Sequence, residues 1–307
     1  MSDLLVVADE VREALAQSRP VVALETTLVA HGFPPAQGAE VGRAAEECVR
    51  KRGAVPATVG VLDGCVRVGL SADELARFSA AGGDARKVGP RDLAAAAVQG
   101  ATGATTVGGT LAVCRFAGIR FLATGGVGGV HRGWRELPDV SPDLGELARA
   151  RALVVSSGVK SLLDVSATAE VLESLAVPTL GYRTDELPLF YSARGGPAVA
   201  TRVETPAEAA RIAAAHWHLG GAAVLLARPP DPELTDVEPL IERVVEEVQR
   251  LGVTGQAVTP LILSRLNEAS GGRTLEINRR LVVDNAALAA DVAVAYGDAQ
   301  PAAEWAP

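Results

Sequence analysis

The sequence predicts an α/β fold: a three-layer α/β/α arrangement around a mixed, mostly parallel central sheet. Three observations carry that prediction. Short apolar runs of strand length alternate with amphipathic stretches of helix length. Two of the apolar runs are joined by Asp63-Gly64, a two-residue hairpin turn that puts an antiparallel pair into the sheet. The 307 residues are 48% hydrophobic but only 4% aromatic, so the core must be built from Val, Leu and Ala.

Taken in order, Leu4, Leu5, Val7, Val11, Ala14 and Leu15 have amphipathic spacing ahead of Pro20, predicting a helix over residues 3–18. Val21–Glu25 is a buried strand ending in a carboxylate. Thr26 to Gly38 reads as a loop, and residues 39–52 as a helix. Ala57–Leu62 and Cys65–Gly69 flank the hairpin turn. Ser71-Ala72-Asp73-Glu74 is a capping box for the next helix, and Pro90 opens a helix over Arg91–Gln99. Thr105-Thr106-Val107 reads as a strand, Gly108-Gly109 as a turn, Thr110–Phe116 as a helix and Ile119–Ala123 as a strand. The strand Ala152–Val155 leads through Ser156-Ser157-Gly158 into a helix around Lys160–Leu175. Thr179–Tyr182 and Ala222–Leu226 are further strands; residues 206–218, 236–251, 260–269 and 274–294 are helices. A single domain is expected over 1–297, with a tail over 298–307.

A formal charge of −8 and the lack of basic runs argue against a nucleic acid polymer as partner. A small phosphorylated ligand stays open, since it needs only a local site. Cys48, Cys65 and Cys114 form no CxxC and are odd in number, as expected of buried free thiols in a reducing cytosol. No uncharged apolar run reaches the roughly 18 residues of a membrane span, and no charged leader precedes an apolar stretch. A soluble, cytoplasmic protein is the expectation.

Of 29 cationic side chains only three are lysines: Lys51, Lys87 and Lys160. Arginine serves a solvated face equally well, but guanidinium cannot deprotonate and an ammonium can, so each lysine is a candidate for chemistry. Lys51 sits in Val49-Arg50-Lys51-Arg52, an ordinary basic helix end. Lys160 follows a strand and a Ser-Ser-Gly turn, which puts it at the start of a predicted helix. There the dipole disfavours a cation and favours a nucleophilic amine. Lys87, in Arg86-Lys87-Val88-Gly89-Pro90 ahead of Arg91, suits either phosphate clamping or plain surface. Glu25, closing an apolar strand, is a structural acceptor or a general acid with a raised pKa.

Thr124-Gly125-Gly126-Val127-Gly128-Gly129-Val130-His131-Arg132-Gly133 follows a strand where α/β folds place ligands. It lacks the last glycine of a dinucleotide fingerprint, and its glycines suit either a flexible loop or a backbone lying close to a ligand. Glu136, Asp139 and Asp143, with Ser141, offer either solvated acids or oxygens for a hard divalent cation. His216 and His218 stand on alternate positions of a helix, off a common face, and read as structural.

Long motifs resemble one family. Leu24-Glu25-Thr26-Thr27-Leu28-Val29-Ala30-His31-Gly32-Phe33-Pro34, Lys87-Val88-Gly89 and Thr105-Thr106-Val107-Gly108-Gly109-Thr110 are similar to the signatures of pseudouridine-5′-phosphate glycosidases, also called pseudouridylate synthases or the indigoidine-synthase-A family. The run Ala123–Gly133, Asp139-Val140-Ser141-Pro142-Asp143-Leu144 and Ser156-Ser157-Gly158-Val159-Lys160-Ser161 match as well. So do Val258-Thr259-Pro260 and the helix carrying Asn285, so that the resemblance runs from about residue 4 to about residue 296. It implies reversible cleavage of the C–C bond between uracil and ribose 5-phosphate through a lysine imine. The roles it implies are Lys160 as nucleophile, Glu25 as proton donor and Asp139 as support for one divalent cation per subunit, typically Mn²⁺, largely through waters. Lys87, Val107, Ser141, Pro142 and Asp143 would contact substrate, with Thr124, His131 and Asn285 as further contributors. The resemblance also implies a homotrimer. Gln256 and Arg273 stand where the family pattern has lysine. Two other readings share parts of this site: a Schiff-base lyase or aldolase on another sugar phosphate, and a non-catalytic binder of sugar phosphates or nucleotides.

Overall fold

The structure is a computed structural model describing residues 4–136, 138–253 and 258–298. The chain runs β1 (Leu5–Val7), α1 (Asp9–Ala16), β2 (Val21–Glu25), α2 (Thr27–His31), α3 (Gln37–Lys51), β3 (Val55–Leu62), β4 (Cys65–Val68) and α4 (Ala72–Ala81). There follow β5 (Arg86–Val88), α5 (Leu93–Val98), β6 (Gly103–Thr105), α6 (Val107–Ala117), β7 (Phe121–Ala123), β8 (Val130–His131) and α7 (Pro142–Leu147). Next come β9 (Leu153–Ser156), β10 (Leu163–Asp164), α8 (Val165–Ser174), β11 (Thr179–Tyr182), β12 (Thr201–Val203), α9 (Pro206–His218) and β13 (Val224–Ala227). The helices α10 (Glu238–Arg250), α11 (Val258–Ala269) and α12 (Arg273–Asp298) close the described chain.

The main sheet has the order β1-β4-β3-β2-β7-β9-β13-β11-β12, with β6 on β3 and β5 on β6. It is mixed and mostly parallel: β4 and β6 run antiparallel to β3, and the other pairs are parallel. Period-two alternation sorts each central strand between two cores. Val21, Ala23, Leu122, Val154 and Leu225 face the layer of α1, α6, α7, α8, α10 and α11. Val22, Leu24, Phe121, Leu153, Val155 and Val224 face the layer of α3, α9 and α12. Strands buried on both faces read as continuous apolar runs, which is why they are legible.

The hairpin is as expected, with Asp63 at φ 52° and Gly64 at φ 79°, the left-handed pair of a tight turn that matches strand twist. The capping box at Ser71 and Glu74 forms in full.

Four expectations need correction. Leu5–Val7 is a strand parallel to β4 and not the first part of a helix, because a β-branched apolar run finds a sheet edge before helical spacing begins. The stretch after Glu25 contains the short helix α2. Gly108 and Gly109 lie in the first turn of α6, where Thr106 caps the helix by accepting from Gly109 N at 3.1 Å. Lys160 is not at a helix start: α8 begins at Val165, capped by Asp164, and Lys160 lies in the connection to β10. The helix dipole therefore gives no reason for a reactive amine there, since the effect fades within a turn.

Lys51 pairs with Glu47 at 2.7 Å on an exposed helix face. Arg273 forks onto Asp236 at 2.9 and 3.1 Å, and Gln256 lies outside the described residues. Of the expected tail only Asp298 is described, and it ends α12. Among the described residues no helix is long and apolar enough to cross a membrane.

Candidate active site

The site sits where the sheet changes direction: from β2 the chain first builds outward to β3, then returns on the other side as β7. In open α/β sheets the strand ends at such a point leave a crevice. The register pairs Leu24 with Ala123 and Ala123 with Val155, so β2, β7 and β9 end together. Glu25, Thr124 and Ser157 emerge at one edge.

Buried threonines fasten this edge. Thr26 and Thr105 hydroxyls both donate to Val59 O at 2.7 Å, Thr105 N donates to Thr26 Oγ1 at 2.9 Å, and Thr27 donates to Ala104 O at 3.1 Å. They satisfy backbone groups at the branch where β3 leaves β2 for β6, which would otherwise be buried without partners.

The Gly125–Gly129 run is not an open surface loop: every residue from Phe121 to Val130 is buried. Its glycines admit protein neighbours. A Cβ at Gly126 would stand 2.6 Å from the Phe190 ring, and one at Gly128 would stand 2.7 Å from Asp143 Oδ2. Asp143, 4% exposed, accepts from Gly108 N at 2.7 Å through Oδ1 and from Gly128 N at 3.0 Å through Oδ2. One carboxylate thus ties the start of α6 to the glycine loop. Ser141 caps α7 ahead of Pro142, accepting from Asp143 N at 3.3 Å.

Two lobes of one cavity meet here. The smaller is walled by Leu28, Phe190, Pro260, Leu263 and the Gly125-Gly126 backbone, with His31 and Asn278 among its polar groups. The larger, about 230 Å³, is lined by Arg91, Thr106, Val107, His131, Asp139, Ser141, Pro142 and Asp143. Glu25, Lys87 and Lys160 line both lobes. A groove of about 700 Å³ beside Glu173 and His216 is larger but holds none of these groups.

Glu25 accepts a hydrogen bond from Thr124 Oγ1. Burial pushes its carboxyl above the usual range, against the Lys160 charge and the Thr124 bond; Asp143 adds to the rise and Lys87 opposes it. Burial also pushes the Lys87 ammonium down, helped by Lys160 and opposed by Asp143, Glu25 and Asp139. The His131 ring is held low by burial, against the pull of Asp139, whose carboxylate lies 3.9 Å from Nδ1.

Of the residues singled out in the sequence, Glu25, Lys87, Val107, Thr124, His131, Asp139, Ser141, Pro142, Asp143 and Lys160 all line this cavity. Asn285 does not. It is fully buried behind the loop, where Nδ2 donates to Thr124 O at 2.8 Å and lies 3.1 Å from Ser157 Oγ. Its place is to hold the strand edge that carries Thr124. Asn278, seven positions earlier on the same buried face of α12, lines the smaller lobe, and its Oδ1 has no partner. His31 Nε2 is likewise buried and unpartnered. Sequence reasoning passed over both; for Asn278, its spacing of seven from Asn285 on an otherwise apolar helix face was a usable signal.

Comparison with known proteins agrees over nearly the whole chain. The family model described as indigoidine synthase A like protein matches residues 10–295. The chain is 48% identical to a pseudouridine-5′-phosphate glycosidase of Deinococcus radiodurans, over 94% of this chain and 93% of that one. It is 45% identical to one from Herpetosiphon aurantiacus, covering 95% and 97%. A crystal structure of the prealnumycin C-glycosynthase AlnA in complex with ribulose 5-phosphate superposes with TM-score 0.87 at 39% identity, covering 96% and 97%. An indigoidine synthase A-like protein from Thermotoga maritima gives 0.86 at 37%, with the same coverage.

Proposed function

Because the chain belongs to the indigoidine synthase A-like family, we propose that it is a pseudouridine-5′-phosphate glycosidase, cleaving reversibly the C–C bond between uracil and ribose 5-phosphate through an imine on Lys160. The observation that carries this reading is the position of Glu25 and Lys160 at the junction of an apolar lobe and a polar one. A substrate made of a flat base and a sugar phosphate, joined by the bond to be cut, fits that division.

The Lys160 amine bonds to C1′ as the C1′–O4′ bond opens and O4′ takes up a proton. The nitrogen lone pair then drives cleavage: the bond from C1′ to the base carbon breaks, that carbon keeps the electron pair and gains a proton, and C1′ becomes an iminium. Glu25 supplies the proton. A carboxyl whose pKa is raised by burial, oriented by Thr124, is suited to that role. Water hydrolyses the imine, releasing ribose 5-phosphate and restoring the amine. Lys87 neutralises the sugar phosphate, and the Ser141 hydroxyl contacts the sugar. Asp143, with both oxygens taken by backbone N–H groups, shapes the lobe from its wall.

A divalent cation fits at Asp139 in one form. Among the described residues no three His, Cys, Asp or Glu side chains are grouped to hold a metal ion, and the Asp139 carboxylate lies 3.9 Å from His131 Nδ1. One partly exposed carboxylate suits a hard cation such as Mn²⁺ that keeps most of its waters, one per subunit. When bound it would offset negative charge on the sugar phosphate. We further infer a cytoplasmic homotrimer whose catalytic domain is residues 1–297.

The test is synthesis: the protein incubated with ribose 5-phosphate, uracil and MnCl₂ should give pseudouridine 5′-phosphate by chromatography and mass spectrometry. No product with any pyrimidine would overturn the reading.

A further inference from the structure

His31 closes α2, the short helix that directly follows Glu25. It lines the smaller lobe with Glu25, Lys160 and Phe190, and its Nε2 is buried with no partner in the protein. A buried polar atom left unpaired destabilises the empty site, and a ligand atom can offset that cost. Leu28, Phe190 and Leu263 give the same lobe apolar walls suited to a planar ring. Burial, with the Lys87 charge nearby, holds the imidazole below its ordinary pKa, so it is neutral and able to accept.

We propose that His31 Nε2 accepts a hydrogen bond from a ring N–H of the departing base, making His31 a specificity residue of the site. The inference rests on the glycosidase reading above. Its chemical content is selective: a C-linked uracil keeps both ring N–H groups, N1–H and N3–H, whereas the N-linked isomer has lost N1–H. An acceptor that takes N1–H separates the two without touching the sugar, whereas one that takes N3–H orients the base in either isomer.

The experiment compares cleavage of pseudouridine 5′-phosphate with that of its 1-methyl and 3-methyl derivatives. Wild-type protein should prefer the parent over at least one derivative by about 10- to 100-fold in kcat/KM, the size expected when one buried acceptor loses its donor. His31→Ala should bring that ratio to within about 3-fold, chiefly by losing rate on the parent, while ribose 5-phosphate affinity holds. His31→Gln, whose amide oxygen can accept, should keep part of the preference. It decides the matter if His31→Ala lacks a wild-type melting curve. A ratio that does not move in the variants, or a wild type indifferent to both methyl groups, overturns the role of His31 and leaves the glycosidase reading standing. A wild type that cleaves none of the three overturns both.

Discussion

Asp143→Ala should destabilise the protein severely. The carboxylate is 4% exposed and accepts from Gly108 N at 2.7 Å and Gly128 N at 3.0 Å, joining two segments far apart in sequence. Hydrogen bonds to a charged group contribute about 1.5–3 kcal/mol each, and removing the acceptor leaves two buried donors unpaired. The loss should be about 3–5 kcal/mol, allowing for incomplete additivity. At roughly 2 °C per kcal/mol for a chain of this size, Tm should fall by roughly 6–10 °C. Asp143→Asn keeps one acceptor and turns an NH₂ toward the other donor, so it should fall between. Gly128→Ala would place a methyl 2.7 Å from Asp143 Oδ2, and its cost should overlap that of Asp143→Ala in a double-mutant cycle. Thermal melts and urea titration without ligand measure this. A Tm for Asp143→Ala within about 1 °C of wild type would refute the structural tie.

Glu25→Gln should be inactive yet more stable than wild type at neutral pH. Burial raises the folded-state pKa of Glu25, so its contribution to stability is fully present below the unfolded value and is lost as pH rises through the folded one; glutamine removes that loss, and melts at pH 5 and pH 8 should converge in the variant. The two asparagines of α12 should part company. Asn285→Ala, losing the bond to Thr124 O, should cost about 2–3 kcal/mol in urea titration, whereas Asn278→Ala should cost under about 1 kcal/mol while lowering kcat/KM at least about tenfold. Cys114, fully buried with its thiol pushed up to about 12, should resist thiol reagents at pH 8 until the protein unfolds.

What the sequence made legible follows its physics. Val21–Glu25, Ala152–Val155 and Ala222–Leu226 are buried on both faces, so their apolar runs announce them. Asp63-Gly64 and the Ser71 capping box are local chemistry that needs no tertiary context. What stayed hidden depends on partners distant in sequence. Leu5–Val7 becomes a strand only because β4 is there to receive it. Residues 160–164 leave the helical pattern because β10 pairs with β8. Gly125–Gly129 owes its glycines to Phe190, Ser141, Asp143 and Thr168, none of them adjacent in sequence. Residue type and place made Glu25, Lys87 and Lys160 candidates and the resemblance gave them roles, whereas the unpartnered atoms of His31 and Asn278 show only in the packing around them. The case for Lys160 from a helix dipole fails, but its place between the lobes gives a better one.

Borohydride trapping tests the central claim most directly. Protein incubated with ribose 5-phosphate and then reduced should carry a sugar-phosphate adduct on the peptide containing Lys160, by mass spectrometry. Lys160→Arg should fold, carry no adduct and form no product. Product formed without any adduct, or an active Lys160→Arg protein with the adduct on Lys87, would contradict the account.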